Sequence, residues 1–211
     1  MVIFAIVGKS AAGKDTLSNK VSEKLNLRKV ISCTTRPKRP KEIDGKDYYF
    51  IEEDIMNNLI LDNQVANHTS YNVVGDEIWH YAYLKKDIEQ GDNCLMVLNP
   101  EGLRDIKKEY ENHKDITIIP ILIDAPLEIR IERSLLRNGT DIKTVSEIVR
   151  RAIADNSDFI GINPKHVIDT SLPNAEDTLI EVITRELGNE VLRKTQREFK
   201  RNPFKFLGGK R

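Results

Sequence analysis

Apolar positions along the chain follow two rhythms. Residues 2–7 (VIFAIV), 94–99 (CLMVLN) and 116–123 (ITIIPILI) are short apolar runs, as expected of strands buried on both faces of a parallel sheet. Between them the spacing becomes helical. Leu17, Val21 and Leu25 are four apart and predict a helix from Lys14. Further helices are predicted over residues 52–61, with Ile55, Leu59 and Met56 inward, from about Pro100, and after Pro126 at its favoured first position. Residues 144–155 carry an apolar stripe of Val145, Ile148, Val149, Ala152 and Ile153. Residues 174–187 read as a capped helix stopped by Gly188. Short strands are expected to end near Ser32 and to cover residues 166–169. Strands alternating with helices predict an α/β fold with a mostly parallel sheet flanked by helices.

Residues 33–91 break this rhythm. Residues 35–47 are too rich in Pro, Lys and Arg for a regular helix, and 48–51 suit a strand. Residues 71–83 place Trp79, Tyr81 and Tyr83 in alternation beyond a Gly75–Asp76 turn. The stretch reads as an inserted, mixed α/β region.

The joint between the first strand and the first helix carries the strongest chemical signal. Gly8-Lys9-Ser10-Ala11-Ala12-Gly13-Lys14-Asp15-Thr16 has GxxxxGK spacing directly after a strand and before a helix. Backbone N–H groups of Gly8, Ser10, Ala11, Ala12, Gly13 and the first helical turn would cradle a triphosphate, with the helix dipole behind them. Lys14 would lie along the β and γ phosphates. This is the phosphate loop of a P-loop NTPase fold, and it makes ATP the expected co-substrate. Position 15 departs from the usual Ser or Thr. The Asp15 carboxylate, with Thr16 beside it, would hold Mg²⁺ directly or through water; alternatively it only begins the helix, where acids are favoured.

Composition narrows the setting. Hydrophobic residues at 39% and charged residues at 31% describe an ordinary soluble protein. Thirty-three basic and 33 acidic residues balance, which gives no reason to expect nucleic acid or a membrane as partner. The balance hides a basic tail: eight Lys or Arg against Glu198 alone from Arg193 onward, read as a solvated end. Two cysteines without metal-ligand spacing fit a reducing cytoplasm. The opening residues lack a charged segment with a cleavage site, so no signal peptide is expected. Oligomeric state stays open.

A kinase needs a second anion site for its acceptor. Residues 32–50 (SCTTRPKRPKEIDGKDYYF) supply Ser32, Thr34 and Thr35 hydroxyls, the Arg36 and Arg39 guanidiniums and the Tyr48 phenol. Arginine forks match phosphate oxygens. A basic surface loop is the other reading of the same residues. This segment resembles the monophosphate-binding segment of guanylate kinases and follows the phosphate loop at the family's distance. The resemblance runs to about residue 187. It implies that Ser32, Arg36, Arg39 and Tyr48 bind the acceptor phosphate.

The family reads guanine with acids, and here the pattern departs. Asn67 stands where the family has Glu, and the strand that usually ends Asp-x-Asp ends Val97-Leu98-Asn99. The family's Tyr-Gly pair falls near Tyr81-Ala82, with extra residues at 74–77. Asn67, Tyr71, Trp79, Tyr81 and Asn99 are the candidate base-pocket residues. Either amides and backbone read guanine, or another base is accepted.

Arg130, Arg133 and Arg137 share one helical stripe, broken by Asn138-Gly139-Thr140; Arg150 and Arg151 follow on the next helix. A solvated face with Glu128 and Glu132 would look the same. The arrangement resembles the lid of nucleoside monophosphate kinases, which implies catalytic roles for Arg133, Arg137 and Arg151 beside Lys14. The expected organisation is a catalytic domain over residues 1–187, with an acceptor insertion at 33–91 and a lid at about 134–147, then a basic tail at 188–211. The expected reaction is phosphoryl transfer from ATP to GMP or dGMP. Another monophosphate, a sugar phosphate, or a non-catalytic interaction domain of the same fold are the alternatives.

Overall fold

The computed structural model describes residues 1–39, 41–72 and 78–201, the last three by backbone alone. Strand β1 (Val2–Val7) runs through the glycine loop into α1 (Lys14–Leu25). Then come β2 (Arg28–Lys29), β3 (Cys33–Thr34), β4 (Tyr49–Phe50), α2 (Glu53–Leu61), β5 (Val65–Asn72), β6 (Ile78–Leu84) and the short α3 (Lys85–Ile88). The second half holds β7 (Cys94–Leu98), α4 (Pro100–Glu109), β8 (Thr117–Asp124), α5 (Leu127–Asn138), α6 (Ile142–Asp158), β9 (His166–Asp169) and α7 (Ala175–Arg201).

Two sheets result. The core sheet is parallel, in the order β2-β7-β1-β8-β9. The second, in the order β4-β3-β6-β5, is mixed, with only β3 and β4 parallel. Strand β1 is central and buried at every residue, which explains its unbroken apolar run. Val2, Phe4 and Ile6 belong to one cluster with Leu17 and Val21 of α1 and Leu179 and Ile183 of α7. Ile3, Ala5 and Val7 belong to the other, with Leu103 and Ile106 of α4. Each large side chain so buried contributes about 1.5–3 kcal/mol, so β1 anchors whatever its C-terminal end presents. Cys94 is buried in the second of these clusters and Cys33 in a third, with Met56, Ala82 and Leu84, and burial pushes both thiols up to about 11. No helix among the described residues is long and apolar enough to cross a membrane.

Four sequence expectations are corrected. Helix α7 does not stop at Gly188 but runs through it to Arg201. Gly188 faces open space, and its propensity cost of about 1 kcal/mol is offset by anchors on either side. On the N-terminal side, buried Glu186 accepts from Lys165 Nζ at 2.7 Å and pairs with His166 Nε2 at 2.8 Å. On the other, Glu190 accepts from Thr117 Oγ1 at 3.3 Å. The apolar stripe of α6 is mostly outside the core: Ile148 is buried, Ala152 half-buried, and Val145, Val149 and Ile153 exposed. On α2 it is Met56 that turns inward, while Ile55 is exposed. Pro126 takes the N-cap rather than the first helical position. The turn expected at Gly75–Asp76 and the extra residues at 74–77 lie outside the described residues, as does the tail beyond residue 201.

Candidate active site

The loop after β1 folds as it does because two backbone constraints meet there. A Cβ at Gly8 would stand 2.1 Å from the carbonyl oxygen of Ile123 in the neighbouring strand. Only glycine lets β1 and β8 lie this close. Gly13 then turns the chain at φ 89° and caps α1 without a side-chain hydrogen bond. The first-turn N–H groups of α1 therefore lack helical acceptors and face the loop's concavity, the arrangement that binds anions. Lys14 Nζ lies over this loop and donates to Lys9 O at 3.1 Å. Burial pulls its ammonium below the ordinary lysine value, partly countered by Asp15 and Asp155. A bound phosphate would raise it again. Asp15 and Thr16 are exposed at the start of α1.

Three residues that the sequence reading did not single out hold this loop. Asp155 of α6 is buried, and its Oδ2 accepts from the Ser10 N–H at 2.9 Å and from Arg130 Nη1 at 3.0 Å. Thr170, just past β9, donates its hydroxyl to Ala12 O at 2.8 Å. Asp124, at the end of β8, pairs with Lys9 Nζ at 3.4 Å. Arg133 donates from Nη1 to Thr170 Oγ1 and from Nη2 to Thr170 O, both at 2.8 Å, which sets its guanidinium beside Gly13. Arg130, the first member of the arginine stripe, is buried and committed to Asp155, so it is not a free cation.

Arg137 and Arg151 remain exposed. Arg151 Nε donates to Glu147 Oε1 at 2.7 Å, and Arg150 clasps both oxygens of the same carboxylate. The Arg150 bond, with Arg151 adding to it against partial burial, holds the Glu147 carboxyl down at about 2. A cleft of about 320 Å³ lies between α5 and α6, where Arg137, Lys143, Glu147 and Arg151 line it, and Ser10 of the loop and Arg39 complete its walls.

Arg39 carries the acceptor segment into that cleft. Its neighbour Arg36 is 4% exposed, bonded to Glu42 Oε1 at 2.7 Å and to Pro37 O at 2.8 Å. Its guanidinium lies 5.4 Å from the Tyr48 ring centre and 5.7 Å from that of Phe50. Burial opposes its charge and the Glu42 bond more than offsets this, so its pKa stands above the ordinary value. Glu42 also accepts from the Arg39 N–H at 2.9 Å and so fixes both arginines. Burial pushes the Tyr48 phenol up to about 12, and the group stays a neutral donor. Ser32 is buried under this cluster, its carbonyl accepting from the Tyr49 N–H at 2.9 Å.

The base-pocket candidates form a separate cluster. Tyr81 meets Tyr48 at 6.0 Å and Tyr71 at 5.7 Å, both edge-on. Trp79 lies opposite Tyr71 in the strand register. Asn67 Oδ1 accepts from the Tyr83 N–H, and Asn99 caps α4 through Gly102 N–H. Alternation in the sequence marks Trp79, Tyr81 and Tyr83 as one strand face; Glu42, Glu147, Asp155 and Thr170 gave no such signal.

Comparison with known proteins agrees with this architecture. The family model described as guanylate kinase matches residues 1–179. A guanylate kinase of Thermotoga maritima is 28% identical over 195 residues, covering 87% of this chain and 86% of that one. One of Paraburkholderia xenovorans is 30% identical over 163 residues, covering 74% and 67%. The crystal structure of guanylate kinase from Anaplasma phagocytophilum superposes with a TM-score of 0.59 at 22% identity, over 88% of this chain and 85% of that one, a likeness of fold.

Proposed function

This chain belongs to the guanylate kinase family, and we propose that it transfers the γ-phosphoryl group of ATP to the phosphate of GMP or dGMP. An acceptor phosphate oxygen bonds to the γ phosphorus as the β–γ bridging bond breaks, and ADP leaves. The observation that carries this reading is the cleft itself. It brings Ser10 of the loop, Arg39 of the acceptor segment, and Arg137 and Arg151 of α5 and α6 to one space. Phosphoryl transfer is catalysed chiefly by positioning and by cations around the transferring group, and three separated segments supply them here.

In this reading residues 33–91 hold the acceptor and about 134–147 form the lid. The first turn of α1, with Gly8, Ala11, Ala12 and Gly13 shaping the loop, takes the ATP phosphates, and Lys14 neutralises the β and γ oxygens. Ser10 gives its N–H to Asp155, so Asp155 and Arg130 position the loop against α6. Arg133 is already docked beside the loop. Arg137 approaches from the exposed end of α5, and Arg151 approaches when phosphate displaces Glu147. Arg36, Arg39, Tyr48 and Ser32 take the acceptor phosphate, with Glu42 keeping Arg36 oriented until it arrives.

Mg²⁺ fits this site in a limited way. No cluster of three acidic, His or Cys side chains that would cage a metal stands among the described residues. Asp15 and Thr16, exposed at the helix start, suit an ion that keeps waters and takes its remaining ligands from phosphates. Such an ion would neutralise β and γ oxygens during transfer.

The test is transfer of label from γ-labelled ATP to GMP by the intact protein, with Lys14→Ala as control. Labelled GDP in the wild type is expected, with a fall of about 10³-fold or more in the variant at an unchanged melting temperature. Undiminished turnover in Lys14→Ala overturns the mechanism.

A further inference from the structure

This inference rests on the reading of the second sheet as the acceptor site and concerns which base its aromatic and amide cluster recognises. The cluster adjoins Arg36 through Tyr48 and Tyr81 and reaches the N-terminus of α4 through Tyr71 and Asn99. Its aromatic rings suit a flat base. Its polar groups decide which one.

A backbone N–H only donates, so each amide bonded to one must present its oxygen there. Asn67 Oδ1 accepts from the Tyr83 N–H at 3.1 Å, and Asn99 Oδ1 accepts from the Gly102 N–H at 2.7 Å. Both orientations are fixed, and each amide oxygen is turned to backbone with one of its two lone pairs taken. The NH₂ groups point the other way. Asn67 Nδ2 has no hydrogen-bond partner among the described residues and packs beside Gly102, where a Cβ would lie 3.1 Å from it. Asn99 Nδ2 gives one hydrogen to Tyr71 Oη and keeps one. Thr69, cross-strand from Tyr81, adds a hydroxyl, which donates as readily as it accepts. The carboxylates whose charge reaches Tyr71, Glu101 and Asp158, are themselves exposed on α4 and α6.

We propose that Asn67 and Asn99 make the base pocket a hydrogen-bond donor site, so that it takes purine monophosphates through their ring acceptors and phosphorylates AMP and dAMP as well as GMP and dGMP. Guanine offers N7 and O6 as acceptors and adenine offers N7 and N1; donors read either. Selecting guanine requires acceptors for its N1–H and N2–H₂ pair, and the two amide oxygens that would serve are oriented toward backbone N–H groups.

The test compares label transfer from γ-labelled ATP to GMP, dGMP, AMP and dAMP, with products separated by chromatography. Wild-type kcat/KM for AMP and GMP should agree within about tenfold. The decisive variant is Asn99→Asp. Aspartate is an equally good N-cap and isosteric, so it preserves the fold while replacing a donor by an acceptor. It should raise the GMP-to-AMP ratio at least about tenfold and leave KM for ATP unchanged. A wild type that prefers GMP by more than tenfold, or a ratio unmoved in Asn99→Asp, overturns the inference and leaves the kinase reading standing. No transfer to any monophosphate overturns the kinase reading and the inference with it.

Discussion

The glycine loop and the Arg36 cluster, the proposed nucleotide and acceptor sides, are built on different principles. On the nucleotide side backbone constrains backbone: β1 is buried throughout, Gly8 abuts the Ile123 carbonyl, and Gly13 turns at positive φ. On the acceptor side side chains constrain each other. Strands β3 and β4 are two residues long, and Arg36 is held by Glu42, Tyr48 and Phe50. Substitution on the first side therefore strikes the fold, and on the second the chemistry.

Gly8→Ala tests the first half of that contrast most severely. With 2.1 Å between its Cβ and a strand carbonyl, we expect loss of more than about 4 kcal/mol, read as failure to recover folded protein or a collapsed denaturant midpoint. Asp155→Ala comes next. It leaves the buried Arg130 with only a 4.0 Å contact to Asp124 and the Ser10 N–H unsatisfied, an effect of about 3–5 kcal/mol; Asp155→Asn should recover part of it in the same melt.

Arg36→Ala probes the acceptor side. KM for the monophosphate should rise about 100-fold while KM for ATP stays put; equal effects on both substrates would place Arg36 elsewhere. Glu42→Gln sharpens the point through pH. Burial alone would raise the Glu42 pKa, and Arg36 with the Arg39 N–H more than offsets this, so the carboxyl lies below its usual range. Its contribution, about 1.5–3 kcal/mol, is complete above the pH where an unfolded glutamate titrates, about 4.3, and is lost as pH falls through the lowered value. Melts should separate wild type from Glu42→Gln at neutral pH and converge in acid. At the small end, Arg150→Ala removes an exposed pair with Glu147 and should shift stability by no more than about 0.5 kcal/mol.

The same contrast governs what the sequence made legible. Strand β1, the loop and α1 follow from a continuous apolar run, two glycines and a lysine, because local chemistry dictates them. The parallel sheet and inserted region followed from rhythm. Glu42 was visible only within a motif, and Asp155 not at all: its partner Ser10 lies 145 residues away, and a lone polar residue on an amphipathic helix carries no local mark. The stripe on α6 misled because amphipathicity reveals a face without revealing how much of it a neighbour covers; here Val149 and Ile153 remain exposed. Gly188 misled because long-range anchors at Glu186 and Glu190 outweigh its propensity.

The two cysteines have an experimental consequence. Both are buried, with thiols protonated far above neutral pH, so neither competes for a thiol-reactive dye. A single Ile142→Cys, at a position 86% exposed at the start of α6, would take one fluorophore and no other. The protein comes ready for testing in real time, one molecule at a time, whether the proposed lid moves, without first being stripped of its native thiols.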